Sequence, residues 1–315
     1  MDDVIRRIEQ EAGIPGLASV LAQRLPASDL HSLLLEVYRR RAGDRSGANV
    51  LADYVSSRFV HPGRTDPRLL LQWDAAAFSA LPDGFIPLEL SPLSPLGTNS
   101  VVATVSQNKT VVTARNLEVV SDATNVLALE CAVRRRALLS AAPHSAELVR
   151  LAASHRVVRP QFSGNATMLP HFRLFSLCSA GRDTGANSFE REGLAEHVRF
   201  YVKALSAFLG EAVPLRVSVT DLASDSPRDW WEAAVLAPLR YPLPRVEFGF
   251  DQSRTAGRGY YVGVCFHVFA VVAGSAIELA DGGDVNWTQK LLNNAKERLF
   301  ISGIGSERVC GLKQG

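Results

Sequence analysis

The 315-residue sequence is poor in cysteine: there are four, Cys131, Cys178, Cys265 and Cys310, with no CxxC pair and no Cys/His cluster at metal-ligand spacing. Zinc is therefore unsupported. Each cysteine sits in an apolar stretch where burial raises the thiol pKa, so reduced core residues are expected rather than a catalytic thiolate or a disulfide. Charge of one sign is also lacking, with 34 Lys plus Arg against 32 Asp plus Glu and a formal net charge of +2 at pH 7. That balance gives no strong pull toward DNA, RNA or anionic lipid. The longest apolar stretches, such as YYVGVCFHVFAVVAGSAIELA (260–280), carry Gly, His, Ser and Glu at strand-like spacing and fall short of a membrane span. The start, MDDVIRRIEQEAGIPG, is charged and helical without the apolar segment of a secretory signal, so a cytoplasmic location is expected. The phosphate-loop signature GxxxxGK[ST], a GxGxxG after a strand, GxSxG and HExxH are all absent. The seven histidines are scattered, and the one with acidic company, His197 after Glu196, falls in an amphipathic helix, where a surface or half-buried structural role is expected.

What is present is a chain 47% hydrophobic and 21% charged, enough for one large or two modest cores. Disorder, a coiled coil and a fibrous repeat are excluded. Residues 1–65 read as a helical N-terminal extension. Ser28-Asp29 can cap the run DLHSLLLEVYRRRA, with Leu30, Leu33, Leu34 and Val37 on one face. The break HPGRTDP (61–67) then precedes a helix over 68–81, and residues 66–315 form the second unit. From Phe85 the texture changes to short segments bounded by Pro, Gly or Asn: FIPLELSP, NSVVATVSQ and KTVVTARNLEVV read as strands. A helix over 122–140 follows, then RVVRPQF and PHFRLFSLC as a hairpin around SGNATML, and a 3.6-period helix over 189–210 closed by Gly210. Further strands, PLRVSVTDL, RVEFGF and GYYVGVCFHVFAVV, lead to KERLFISGIGSERVCGL. Strands interrupted by helices, without a steady βαβ rhythm, predict an α+β fold around a central, mainly antiparallel sheet flanked by helices.

Three segments carry the candidate chemistry. In VVSDATNVLALE (119–130), Asp122 and Thr124 stand at a helix start, where a carboxylate and backbone donors converge; alone, that is also an ordinary N-cap. In HRVVRPQFSGNATMLPHFRLF (155–175), Arg156, Arg159 and Arg173 flank a loop with Phe172 close by, a pattern suited to phosphate and to a stacked base as well as to surface arginines on a hairpin. In FISGIGSERV (300–309), Gly303 and Gly305 allow close approach of a backbone or ligand ahead of Arg308.

Together and in that order, these segments resemble the motifs of a class II aminoacyl-tRNA synthetase catalytic domain, within the group of histidyl-tRNA synthetase and the regulatory subunit of ATP phosphoribosyltransferase. The resemblance spans roughly residues 66 to 310. The helix leading into FIPLELSP looks like the family's first motif, with Pro92 or Pro95 as its proline, which implies a homodimer built around residues 68–97. RVVRPQ resembles the second motif, whose arginine holds the α-phosphate of ATP; Arg156 is the better match and Arg159 the other. Phe172 would stack on adenine, and Arg308 would be the third-motif arginine that covers the other face and meets the γ-phosphate. Asp122 and Thr124 look like the acidic-x-Thr element that holds a substrate amino group, Tyr260 and Tyr261 like the Tyr-Tyr strand of the amino-acid pocket, and Gly282 and Gly283 like the glycine pair after it. The sequence departs from the pattern at Val158, where the family has Glu, at His267 in place of Glu, and at Asp284 in place of Arg. The arginine ahead of the tyrosines is displaced to Arg254 or Arg258. These departures count against specific histidine binding. The seven residues after Arg308 leave no space for an anticodon-binding domain, so ordinary tRNA charging is not expected.

Two functions follow from the resemblance. One is a stand-alone domain that binds ATP with Mg²⁺ and an amino-acid-like carboxylate and forms an acyl-adenylate, with Arg156 and Arg308 carrying the phosphate chemistry. The other is a catalytically silent paralogue acting as a regulatory or binding subunit, with a protein partner. Neither implies DNA or a membrane.

Overall fold

A computed structural model describes residues 2–161, 169–223 and 228–314. The chain begins with four helices, α1 (Asp2–Ala12), α2 (Leu17–Ser19), α3 (Ala27–Gly43) and α4 (Gly47–Ser56), followed by α5 (Pro67–Ala80). Three short strands come next, β1 (Phe85–Pro87), β2 (Leu93–Pro95) and β3 (Leu117–Val119). They lead into α6 (Ala123–Ala141), the pair β4 (Val149–Val158) and β5 (His171–Arg182), and α7 (Ser188–Leu209). After β6 (Leu215–Asp221) come α8 (Arg228–Trp231), α9 (Ala237–Arg240), β7 (Val246–Phe250), β8 (Val264–Val272), β9 (Ser275–Val285), α10 (Trp287–Leu292), β10 (Glu297–Gly305) and α11 (Ser306–Gln314).

The main sheet has eight strands in the order β1-β4-β5-β10-β9-β8-β6-β7. The six central strands are antiparallel to their neighbours, while β1 joins β4 and β7 joins β6 in parallel. The sheet is thus mostly antiparallel and flanked by helices, as the sequence predicts. The two faces can be read along β4, where side chains alternate. Val149, Leu151 and Ala153 pack in the cluster that holds Leu127 and Cys131 of α6. Arg150, Ser154 and Arg156 point the other way, to Glu196 of α7, Asp74 of α5 and Glu307 of α11.

Local chemistry explains most element ends. Asp66 caps α5 by accepting from the Arg68 amide at 2.9 Å, with Pro67 in the first turn. α7 stops at Gly210, whose φ of 92° opens the left-handed region. The hairpin of β4 and β5 runs in register from Val149↔Ala180 to Val158↔His171, and its loop SGNATML lies outside the described residues except for Leu169. All four cysteines are buried and unbridged; burial pushes the Cys265 thiol up to about 12 and Cys310 to about 11.

Several expectations need correction. NSVVATVSQ is not a strand: residues Thr98–Val102 form a helical turn and Gln107–Lys109 a 3-10 turn. The competing force is a buried carboxylate, since Glu118 accepts from the amides of Gly97 (3.0 Å) and Asn99 (2.7 Å) and from Gln107 Nε2 (2.7 Å), curling the segment around it. Only three residues of FIPLELSP and three of KTVVTARNLEVV form strands, and the latter pair with β2 in a separate two-stranded sheet. α3 starts at Ala27 with Pro26 before it, so Ser28 and Asp29 lie inside the first turn rather than capping it. Leu33 and Val37 are exposed, and none of α1 to α4 buries a residue. His197 is fully buried rather than half-buried, bonded to Ser179 Oγ at 3.0 Å and Ser302 Oγ at 2.7 Å; burial pushes it down to about 3. No helix among the described residues is long and apolar enough to cross a membrane.

Candidate functional site

The start of α6 supplies the first wall of the site. Asp122 is extended and uses Oδ1 to accept from the Thr124 amide at 3.0 Å and the Thr124 hydroxyl at 2.8 Å. Its Oδ2 accepts from Arg159 Nη2 at 2.9 Å, while Arg159 Nε donates to the Ser121 carbonyl at 2.9 Å. The same guanidinium lies over the Phe172 ring, 5.1 Å from its centroid. Acid, arginine and aromatic are therefore one packed unit at the end of the β4–β5 hairpin.

The second wall comes from the turn before β8 and from β9. Tyr260 and Tyr261 meet edge to face at 5.0 Å, and Tyr260 also packs on Trp287. Tyr260 hydrogen-bonds Thr124, Tyr261 hydrogen-bonds Asp281, and burial raises both phenols well above their ordinary value. Gly283 makes this possible: a Cβ there would stand 2.7 Å from the Tyr261 ring and 2.8 Å from the Val264 carbonyl. At Gly282 it would stand 2.5 Å from Ser302 Cβ and 2.7 Å from the Ile301 carbonyl. The glycine pair thus acts by close packing.

These walls enclose a cavity of about 950 Å³. Of the residues singled out in the sequence, Asp122, Thr124, Arg159, Phe172, Tyr260, Tyr261, Gly303, Gly305 and Arg308 line it. Arg308 extends from α11, its Nη1 donating to the Glu278 carbonyl at 2.7 Å. Gly282 and Gly283 are not among the lining residues, and Gly283 packs against the lining Tyr261. Arg156 is not among the lining residues: it projects to the other face of the sheet, where Nη2 donates to Glu307 Oε1 at 3.1 Å. Of the two arginines left open by the sequence, Arg159 is the one at the cavity.

Sequence reasoning passed over Asp281, which lines the cavity two positions before Gly283. Arg254 Nη2 donates to its Oδ1 at 3.0 Å, and His267 Nε2 is 3.6 Å from the same oxygen. Burial raises the Asp281 carboxyl, with Arg254 opposing, and burial also lowers His267. The signal was the period of two along β9, which puts Asp281 and Gly283 on one side of the strand. Of the two displaced arginines, Arg254 buttresses this wall, and Arg258 donates to the Leu222 carbonyl at 3.2 Å. Asp284 sits on the opposite side of the sheet from Asp281 and accepts from the Gly263 amide at 3.1 Å; burial pushes it up to about 7. Also missed were Asn99, Lys109 and Asn125, and Arg58 and Arg64 from the chain between α4 and α5, all of which line the cavity. Among the described residues no cluster of His, Cys, Asp and Glu could hold a metal ion.

No family model and no curated protein matches the chain. Solved structures do. An ATP phosphoribosyltransferase regulatory subunit/histidyl-tRNA synthetase from Bacillus halodurans C superposes with a TM-score of 0.60 at 13% identity, over 82% of this chain and 83% of that one. A histidine–tRNA ligase subunit from Alicyclobacillus acidocaldarius gives 0.58 at 14%, over 81% and 96%. Apo histidyl-tRNA synthetase of S. aureus gives 0.54 at 14%, over 78% of this chain and 65% of that chain. The fold is that of the class II aminoacyl-tRNA synthetase-like proteins, and the likeness extends over most of the chain.

Proposed function

We propose that this class II synthetase-like fold binds a nucleotide phosphate together with an amino-acid-like carboxylate in this cavity. One observation carries the reading: Arg159 stacked on Phe172, and Arg308, line the same space as Asp122, Thr124 and the tyrosine pair. Planar guanidiniums suit phosphate oxygens, and an aromatic face suits a base. The described residues offer no protein cage for Mg²⁺, so the ion would arrive on the nucleotide's phosphates, where it would neutralise charge. Around the first motif, Leu71, Ile86 and Leu96 are exposed apolar groups, and we assign a homodimer to that surface.

The test is thermal unfolding with and without Mg-ATP, for the wild type and Arg308→Ala, because a ligand that binds only the folded state raises the midpoint. A rise that disappears in the variant supports the reading; an unchanged wild-type midpoint removes it. Pyrophosphate exchange across a panel of amino acids then asks whether an acyl-adenylate forms.

A second reading, a silent regulatory paralogue, is favoured by the engagement of the charged groups themselves. Asp122 is already paired with Arg159, Arg156 is paired with Glu307, and Val158 offers no polar contact. Ligand binding without exchange, and co-elution with a short-form ATP phosphoribosyltransferase, would favour it over the enzyme.

A further inference from the structure

Residues 58–65 join the helical extension to α5, and Arg58, Gly63, Arg64 and Thr65 line the cavity. The extension otherwise contributes nothing to the core. This strap is fastened by a chain of bonds whose proton positions can be deduced. His171 Nε2 is 2.7 Å from the His61 carbonyl oxygen, which can only accept, so Nε2 carries the proton. Its Nδ1 is then the acceptor for Arg156 Nη1 at 3.0 Å, since a guanidinium has only donors. Arg156 Nη2 continues to Glu307 Oε1, and Glu307 Oε2 accepts from the Arg173 amide at 2.8 Å. A Cβ at Gly63 would lie 3.9 Å from Arg156 Nη1, so the strap passes close beside that guanidinium.

The charges of the lining explain what the strap is for. Of the four lining carboxylates, three each meet an arginine, Asp122 with Arg159, Asp281 with Arg254, and Glu307 with Arg156, while Glu278 lies 3.9 Å from His267 Nε2. Among the described residues, the lining cations Arg64, Lys109 and Arg308 form no ion pair with a carboxylate. The cavity therefore carries surplus positive charge, part of it brought by the extension.

We propose that residues 58–65 are a built-in wall of the ligand site, in which Arg64 binds a phosphate group of the ligand and Arg156 is a positioning residue that holds the wall through His171. This rests on the reading that the cavity takes a phosphate-bearing ligand. It gives Arg156 a task on the face of the sheet where it lies, and makes the helical extension part of the site.

The experiment is calorimetric titration of the full chain with Mg-ATP and with inorganic pyrophosphate, for the wild type, Arg64→Ala, Arg64→Glu, Arg156→Ala, the Arg64→Ala/Arg156→Ala double variant and Arg308→Ala. Loss of one charge-assisted contact is expected to weaken binding about tenfold in Arg64→Ala and further in Arg64→Glu. Arg156→Ala is expected to weaken binding alone, to add nothing in the Arg64→Ala background, and to speed trypsin cleavage after Arg58 and Arg64 in the free protein. Wild-type binding that falls in Arg308→Ala but is unchanged in Arg64→Glu overturns the inference and leaves the reading of the cavity standing. Additive effects of Arg64→Ala and Arg156→Ala overturn the positioning role. A wild type that binds neither probe overturns the inference and the reading together.

Discussion

Arg159 and Asp122 are bound to each other by a 2.9 Å contact, and each is held by the backbone of the same turn: Arg159 by the Ser121 carbonyl and Asp122 by the Thr124 amide. The end of the β4–β5 hairpin is thereby tied to the start of α6. An anion entering the cavity meets an arginine that already has a carboxylate partner, and an ammonium meets a carboxylate that already has a cation. The ligand proposed for this wall would therefore compete with an internal pair.

Two substitutions separate the roles of Asp122. Asp122→Ala removes the cap and the pair together and should lower stability by about 1 kcal/mol or somewhat more. Asp122→Asn keeps an oxygen for the Thr124 amide and should cost less than about 1 kcal/mol, because Arg159 is 38% exposed and its ion pair is screened. Urea unfolding of both variants checks the order; equal losses would show that the pair, not the cap, dominates.

The pair Arg135–Glu297 is fully buried and bidentate, at 2.8 Å through both Nε and Nη2, with Arg135 also donating to the Ser145 and Glu147 carbonyls. Arg135→Met leaves a buried carboxylate unpaired and should cost about 3–5 kcal/mol. Arg135→Met with Glu297→Leu should cost less than the sum of the single changes, as read from equilibrium unfolding of all four proteins.

Gly283→Ala should be destabilising by about 1–3 kcal/mol, because the added methyl meets a backbone carbonyl that cannot move as well as the Tyr261 ring. Adding Tyr261→Ala to this variant relieves only the ring contact, so thermal denaturation of the double variant should still show a loss attributable to the Val264 carbonyl.

The pH dependence carries a signature of Asp284. Its folded pKa is raised by burial from 3.8 to about 7, so between those values the folded state holds a proton that the unfolded state has released. Its contribution to stability is fully present below pH 3.8 and is lost as pH rises toward 7. Asp284→Asn should therefore gain stability relative to the wild type as pH rises across that window and level off above it. A constant difference from pH 4 to pH 8, measured by urea midpoints, would contradict this.

Much of the fold was legible because its signals are local. The period of α7, the cap at Asp122 and the glycine stop at Gly210 all appear in the structure where the residues put them. Residues 99–107 were misread because their alternation of apolar side chains mimics a strand, whereas the deciding group, Glu118, lies more than ten residues away and acts only after folding. Of the site, Asp122, Thr124 and the tyrosines could be found from their order along the chain. The choice between Arg156 and Arg159 could not, since it depends on which side of β4 each residue leaves. The strap was invisible for the same reason: nothing in HPGRTDP says which surface it will cross.

The position of β10 has a consequence for how the chain is made. It is the last strand among the described residues, yet it lies in the middle of the sheet, bonded to β5 on one side and β9 on the other. On a ribosome the halves β1-β4-β5 and β9-β8-β6-β7 must wait, each with an open edge, until residues 297–305 emerge to zip them together. Folding of the sheet should thus wait for β10, and a nascent chain stalled before it would be the species most prone to pair with a neighbour.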